Sequence, residues 1–138
     1  MAPLQRVLYV ENNVGLRLSS AFNLFTDNHD WGSVFQHHVH PGMQRAQNGD
    51  EWWLNEIADK GYALLTCDMA IVSAGTERDV VLESGLRYVG FHSAQYDGWT
   101  QMRALTFHWD ALKSELEQDG PVIIELYYGQ TVPKVERP

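Results

Sequence analysis

The sequence contains a single cysteine, few basic residues and no long apolar segment. Its lone Cys67 excludes an internal disulfide bond and is typical of a protein in a reducing compartment. No segment approaches the roughly 18 consecutive apolar residues of a membrane span, and residues 1–6 lack the apolar core of a signal peptide. We therefore expect a cytoplasmic protein that has no contact with a membrane.

Acidic residues outnumber basic ones. The chain has 10 Lys and Arg against 18 Asp and Glu, which gives a formal net charge of -8. Non-specific binding of nucleic acid requires an excess of positive charge, so the composition argues against it. It does not exclude an enzyme that reaches phosphates through a metal ion. The few basic residues that are candidates for substrate contacts are Arg17, Arg45, Arg78 and Arg103.

Apolar segments alternate with amphipathic segments along the chain. With 138 residues, 44% of them hydrophobic, the length is that of one domain. The patterns predict strands at 4–10, 32–38, 62–66, 87–91 and 122–126, and helices at 14–25, 50–61, 76–84 and 99–116. We therefore expect an α/β fold, a three-layer αβα sandwich with a mostly parallel five-stranded sheet. The domain would cover residues 1–126, with residues 127–138 as a loosely held tail.

Acidic side chains follow two of the predicted strands. Glu11 comes directly after the first strand and Asp68 closely follows the third, while Asp50 and Glu51 open the helix between them. Carboxyl ends of parallel strands meet at one edge of the sheet, where open α/β sheets bind their ligands. Carboxylates gathered there repel one another at neutral pH and need a divalent cation. Asp50 and Glu51 are the least certain members: either could be the ligand from this helix, and Asp50 is also a good helix N-cap.

Three short motifs contain these acids: VLYVENNV at 7–14, DEWWL at 50–54 and LLTCD at 64–68. In their order and spacing they resemble the PIN-like domain family, and more narrowly the VapC-type toxin ribonucleases of bacterial toxin–antitoxin pairs. Family members typically show an apolar strand that ends in Asp-Glu-Asn, then Asp-Glu-x-Trp-Leu on a helix, then Thr-x-Asp at the end of the next strand. Glu11 stands where the family usually has Asp.

The resemblance implies metal-dependent hydrolysis of RNA phosphodiester bonds. The implied catalytic residues, which would also bind Mg²⁺ or Mn²⁺, are Glu11, Asp50 and Asp68. The implied supporting residues are Asn13, Glu51 and Thr66. A cognate antitoxin protein and an RNA substrate are the implied partners, and homodimers are common in the wider family.

Two other functions fit the same residues. A response-regulator receiver domain also has an acidic first-strand end and a phosphorylated Asp after its third strand, as at Asp68. A receiver needs a Lys that closes the fifth strand, and residues 122–128 contain none. Glu11 has one methylene more than the Asp that is usual in the family, which could weaken catalysis. The other alternative is therefore a catalytically weakened PIN-like binding module.

A group of histidines raises a zinc hypothesis. The three residues are His37, His38 and His40. On a predicted strand His38 and His40 would share a face, because side chains on one face recur at every second position. Two ligands on one element are too few for a zinc site, so an exposed strand end is the preferred interpretation.

Overall fold

The computed structural model describes residues 3–26, 31–41, 50–73 and 75–138. Its elements in chain order are β1 (Val7–Val10), α1 (Leu16–Phe25), β2 (Gly32–Phe35), α2 (Gln36–Val39), α3 (Glu51–Asp59), β3 (Ala63–Thr66), α4 (Thr76–Ser84), β4 (Arg87–Phe91), α5 (Gly98–Phe107), α6 (Trp109–Leu116), β5 (Val122–Leu126) and β6 (Lys134–Glu136). A 3-10 turn at Ala70–Val72 follows β3. None of the helices in these ranges is long and apolar enough to span a membrane.

The strands form one sheet in the order β2-β1-β3-β4-β5-β6. The first five are parallel, and β6 runs antiparallel to β5. The prediction of an α/β fold with a mostly parallel sheet is confirmed. The predicted number of five strands is too small by one, because the tail supplies β6.

Apolar side chains cover both faces of the sheet. On one face, Leu8 and Val10 belong to a core cluster with residues of α1, α5 and α6. On the other, Tyr9 belongs to a second cluster with residues of α3 and α4. Successive strand residues point to opposite faces, so β1 contributes to both clusters. This arrangement is compatible with a three-layer sandwich.

Several element boundaries follow the sequence patterns and others do not; the first strand, for example, begins at Val7 and not at Leu4. The ranges of α4, β4 and β5 match the prediction, and Gly85 ends α4 in the left-handed conformation. The predicted strand 32–38 is wrong beyond Phe35, since Gln36–Val39 forms α2. His38 and His40 therefore do not share the face of a strand. The predicted long helix 99–116 is interrupted at His108.

Candidate functional site

Glu11 lies where the carboxyl ends of β1 and β3 meet. Val10 pairs with Leu65 in the parallel register, and the backbone N–H of Glu11 donates to the carbonyl of Leu65 at 3.0 Å. The next pair along the register therefore places Glu11 beside Thr66. A turn follows, in which the N–H of Val14 donates to the carbonyl of Glu11 at 2.9 Å. The backbone of Glu11 is thus held at the sheet edge through both its N–H and its carbonyl.

Neutral polar groups contact both oxygens of the Glu11 carboxylate. Asn13 donates through Nδ2 to Oε2 of Glu11 at 2.6 Å, and the Thr66 hydroxyl donates to Oε1 at 3.2 Å. The backbone N–H of Cys67 in turn donates to Oδ1 of Asn13 at 3.3 Å. Asn13 and Thr66, both predicted as supporting residues, therefore orient Glu11 and tie it to β3.

Asp68 is fixed mainly through its backbone. Its N–H donates to the Thr66 hydroxyl oxygen at 3.1 Å, and its carbonyl accepts a hydrogen bond from the Tyr88 hydroxyl. One side-chain oxygen, Oδ1, accepts from the N–H of Ala70 at 3.0 Å and so begins the 3-10 turn. Asp68 thus serves as a turn residue and lies at the same sheet edge as Glu11.

Asp50 and Glu51 take different positions at the start of α3. Asp50 is the N-cap residue, but its side chain makes no capping hydrogen bond. Its Oδ1 accepts instead from the indole N–H of Trp53 at 2.9 Å. Glu51 lies in the first turn of α3, and in the part of the chain that the structure describes it makes no hydrogen bond to Glu11, Asp50 or Asp68.

The three acids interact electrostatically. Burial, the nearby Asp50 charge and the Asp68 charge raise the pKa of Glu11 to about 7, against the lowering effect of the Thr66 hydrogen bond. Burial and the charges of Glu11 and Asp68 also raise the pKa of the Cys67 thiol. Cys67 is therefore poorly suited to act as a thiolate nucleophile, as its flanking carboxylate predicts.

The donor set at this edge suits a hard cation. It offers carboxylate, amide and hydroxyl oxygens, and no ion pair within the described ranges reaches Glu11, Asp50 or Asp68. Oxygen ligands of this kind are those that Mg²⁺ and Mn²⁺ prefer. Across residues 3–26, 31–41, 50–73 and 75–138, no three Asp, Glu, His or Cys side chains already converge on one metal position.

Two residues of the site were not identified from the sequence. Tyr88 contacts the Asp68 carbonyl, and Gln36 accepts a hydrogen bond from the N–H of Asn12 at 2.9 Å through its side-chain oxygen. Gln36 lies in α2, where the sequence predicts a strand, so no local pattern signals its role. Tyr88 is the second residue of β4, and aromatic residues are common in strands. Arg45, a predicted substrate contact, lies outside the described residues.

Comparison with known proteins finds no family model, no curated protein and no solved structure that matches this chain. Function is therefore inferred from the residues at the sheet edge, from their geometry and from the resemblance of the three motifs.

Proposed function

We propose that this protein is a metal-dependent endoribonuclease with a PIN-like fold, similar to the VapC-type toxins. One observation carries the proposal: partly buried Glu11 lies near Asp50 and Asp68 at the carboxyl edge of the sheet, with no basic partner among the described residues. A bound divalent cation reduces the mutual repulsion of such a cluster of carboxylates.

The proposed ligands of Mg²⁺ or Mn²⁺ are Glu11, Asp50 and Asp68. A divalent cation supplies positive charge for a phosphodiester and lowers the pKa of a water molecule. The protein's own contribution is orientation: Asn13 and Thr66 hold the Glu11 carboxylate. The indole of Trp53 holds Asp50 in a corresponding way. Hydrogen bonds of this type to the metal ligands maintain the geometry of metal sites.

Cleavage of RNA by wild type and by Asp68→Asn tests the proposal. We expect wild type to cleave a mixed single-stranded RNA in Mg²⁺ or Mn²⁺ and to lose this activity in a chelator. Asp68→Asn should reduce the rate by at least about 100-fold, because it removes a negative ligand. Asp110→Asn, an exposed acid at the start of α6, is the control and should cleave as wild type does.

Equal cleavage by wild type and Asp68→Asn would contradict the proposed mechanism. Metal binding that depends on Asp68, without cleavage by either protein, would favour the catalytically weakened binding module. Isothermal titration with Mn²⁺ on the same three proteins distinguishes these outcomes.

The resemblance also leads us to propose the partners and the compartment. They are a cognate antitoxin protein, an RNA substrate and a second copy of the chain, all in the cytoplasm. Exposed apolar side chains at the end of α1, Leu24 and Phe25, support a protein partner, because large apolar groups on a surface often mark an interface.

A receiver-like signalling domain is the second candidate, and the strand order favours it. The order β2-β1-β3-β4-β5 is that of flavodoxin-like proteins, which include receiver domains. Asp68 follows β3 at the position of a phosphorylated Asp, but β5 ends in Leu126 without a Lys after it. Mass spectrometry after incubation with a small acyl phosphate and Mg²⁺ would show one added phosphoryl group, absent in Asp68→Asn, if the receiver function holds.

A further inference from the structure

A recess opens between α5 and the turn that follows β5. Arg103, Ala104 and Phe107 line it from α5, and residues 127–131 line it from the turn. Its volume is about 330 Å³. The acidic cluster, formed by Glu11, Asp50 and Asp68, does not line this recess, and neither do its supporting residues.

The recess exposes aromatic surface to solvent. Phe107 is 68% exposed and Tyr128 is 46% exposed, although both are large aromatic side chains. The guanidinium of Arg103 lies 5.0 Å from the centroid of the Tyr128 ring. Aromatic rings combined with an arginine are the groups on which unpaired nucleobases stack in proteins that bind single strands.

Hydrogen bonds fix the turn that carries Tyr128. The N–H of Tyr128 donates to the hydroxyl oxygen of Tyr96 at 3.1 Å. The ring Nε2 of His108 lies 3.0 Å from the carbonyl oxygen of Tyr127, as a donor to it. Gly129 has φ of 89°, which lets the chain turn sharply after Tyr128. A ligand would therefore meet a preformed surface, which lowers the entropic cost of binding.

The recess lies on the same edge of the sheet as the acidic cluster. It follows the carboxyl end of β5, and β5 is two strands away from β3 in the sheet. At about 4.8 Å per strand, the axes of β3 and β5 are roughly 10 Å apart. Between them, at the end of β4, the ring of His92 stacks on Tyr127 with centroids 4.2 Å apart.

Size and charge favour a single nucleotide as the occupant. Ligand pockets for small molecules span roughly 300–1,000 Å³, so this recess is at the lower limit and suits one base with its sugar. Arg103 also places a positive charge here on a chain with a net charge of -8.

We propose that this recess binds one unpaired nucleobase of a single-stranded RNA substrate, which stacks on Phe107 and Tyr128 while Arg103 contacts the adjacent phosphate. The inference rests on the proposed ribonuclease function for the identity of the ligand. A duplex is excluded as the ligand, because its bases are already stacked and paired.

The test measures binding separately from cleavage. A short fluorescein-labelled single-stranded RNA of mixed sequence is titrated with the full chain in EDTA, and fluorescence anisotropy gives the Kd. Phe107→Ala and Tyr128→Ala should each raise the Kd by about 5- to 100-fold, as expected for the loss of one stacking partner. Tyr128→Phe keeps the ring and should bind as wild type does. Trp99→Ala is the matched control, since Trp99 is 71% exposed on the same helix but does not line the recess.

Three results would overturn the inference. The first is unchanged RNA affinity in Phe107→Ala and Tyr128→Ala, and the second is an equal loss of RNA affinity in Trp99→Ala. The third is an absence of RNA binding by wild type. Sedimentation that shows self-association of wild type, lost in Phe107→Ala, would assign the recess to a protein contact and overturn it as well. If Asp68→Asn cleaves normally while the recess variants bind weakly, only the ribonuclease mechanism fails. If wild type cleaves and the recess variants bind normally, only the recess inference fails.

Discussion

Glu11 determines the electrostatics of the acidic cluster. Its carboxylate accepts hydrogen bonds from neutral donors, Asn13 and Thr66, and lies near the charges of Asp50 and Asp68. Neutral donors orient a carboxylate, but they do not cancel its charge. The free energy stored in this repulsion is what a bound divalent cation would release.

Glu11→Gln should stabilise the metal-free protein at about pH 8 and have little effect at about pH 4. The folded pKa of about 7 exceeds the ordinary glutamate pKa of 4.5, which applies in the unfolded chain. The favourable contribution of protonated Glu11 is therefore present below the unfolded pKa and is lost as pH rises through the folded pKa. We expect Glu11→Gln to increase the free energy of unfolding by roughly 1–3 kcal/mol at the higher pH.

Urea denaturation in EDTA at both pH values measures this difference. Glu51→Gln, which is outside the Glu11 hydrogen-bond network, is the matched control. If Glu11→Gln increased the free energy of unfolding equally at both pH values, ionisation of Glu11 would not be the cause of the increase.

At the scale of elements, the turn between α3 and β3 is shaped by a close approach of two backbones. Gly61 has φ of 77°, and a Cβ atom placed on it would lie 2.2 Å from the carbonyl oxygen of Pro3. The N–H of Gln5 donates to the Gly61 carbonyl at 2.8 Å. The segment that leads into β1 therefore packs directly against this turn.

Gly61→Ala should destabilise the protein by about 3 kcal/mol or more, because it combines an unfavourable backbone conformation with a clash against backbone atoms. Gly129→Ala is the control: its φ of 89° is similarly positive, but no atom lies within 4 Å of the added Cβ. We expect this control to lower the free energy of unfolding by only about 1–2 kcal/mol. Chemical denaturation gives both values, and equal losses would show that the contact with Pro3 is unimportant.

At the scale of the whole molecule, one buried arginine connects elements that are distant in sequence. The Arg87 guanidinium is 1% exposed and donates to the carbonyls of Leu116, Gln5 and Gly61. Burial lowers its pKa to about 10, so it stays charged at neutral pH. These bonds join β4 to α6, to the segment before β1 and to the turn before β3.

Arg87→Met should destabilise the fold by about 3–5 kcal/mol, because buried carbonyl groups would lose their donor. Arg87→Lys should recover only part of this loss, since an ammonium cannot reproduce the planar fork of the guanidinium. Arg17→Met, an exposed position on α1, is the control and should change stability by less than about 0.5 kcal/mol. Thermal and urea unfolding of the four proteins measure the series, and a loss in Arg87→Met no larger than in the control would contradict this role.

Much of the fold could be predicted because its signals are local. The ranges of α4, β4 and β5 follow from apolar periodicity and from turn residues such as Gly85. The strand-end positions of Glu11 and Asp68 follow from the same patterns. Together these determine an α/β fold and two of the acids at its edge.

Other features depend on contacts between residues far apart in the chain. Residues 134–136 form β6 because they pair with the edge of β5, supported by ion pairs from Arg78 to Glu136 at 3.0 Å and from Arg137 to Glu115 at 2.6 Å. The long predicted helix is interrupted at His108, whose ring contacts the carbonyl of Tyr127. Neither feature has a signal in its own segment.

Local patterns in the chain are thus enough to predict the types of most elements, the acids that follow the strands and the motifs that resemble a ribonuclease family. The strand order, the approach of Asp50 to Glu11 and the aromatic recess beside β5 become visible only in the folded chain. The difference is one of range, because periodicity and turn preferences act over a few residues, whereas strand order and site geometry depend on which distant surfaces pack together.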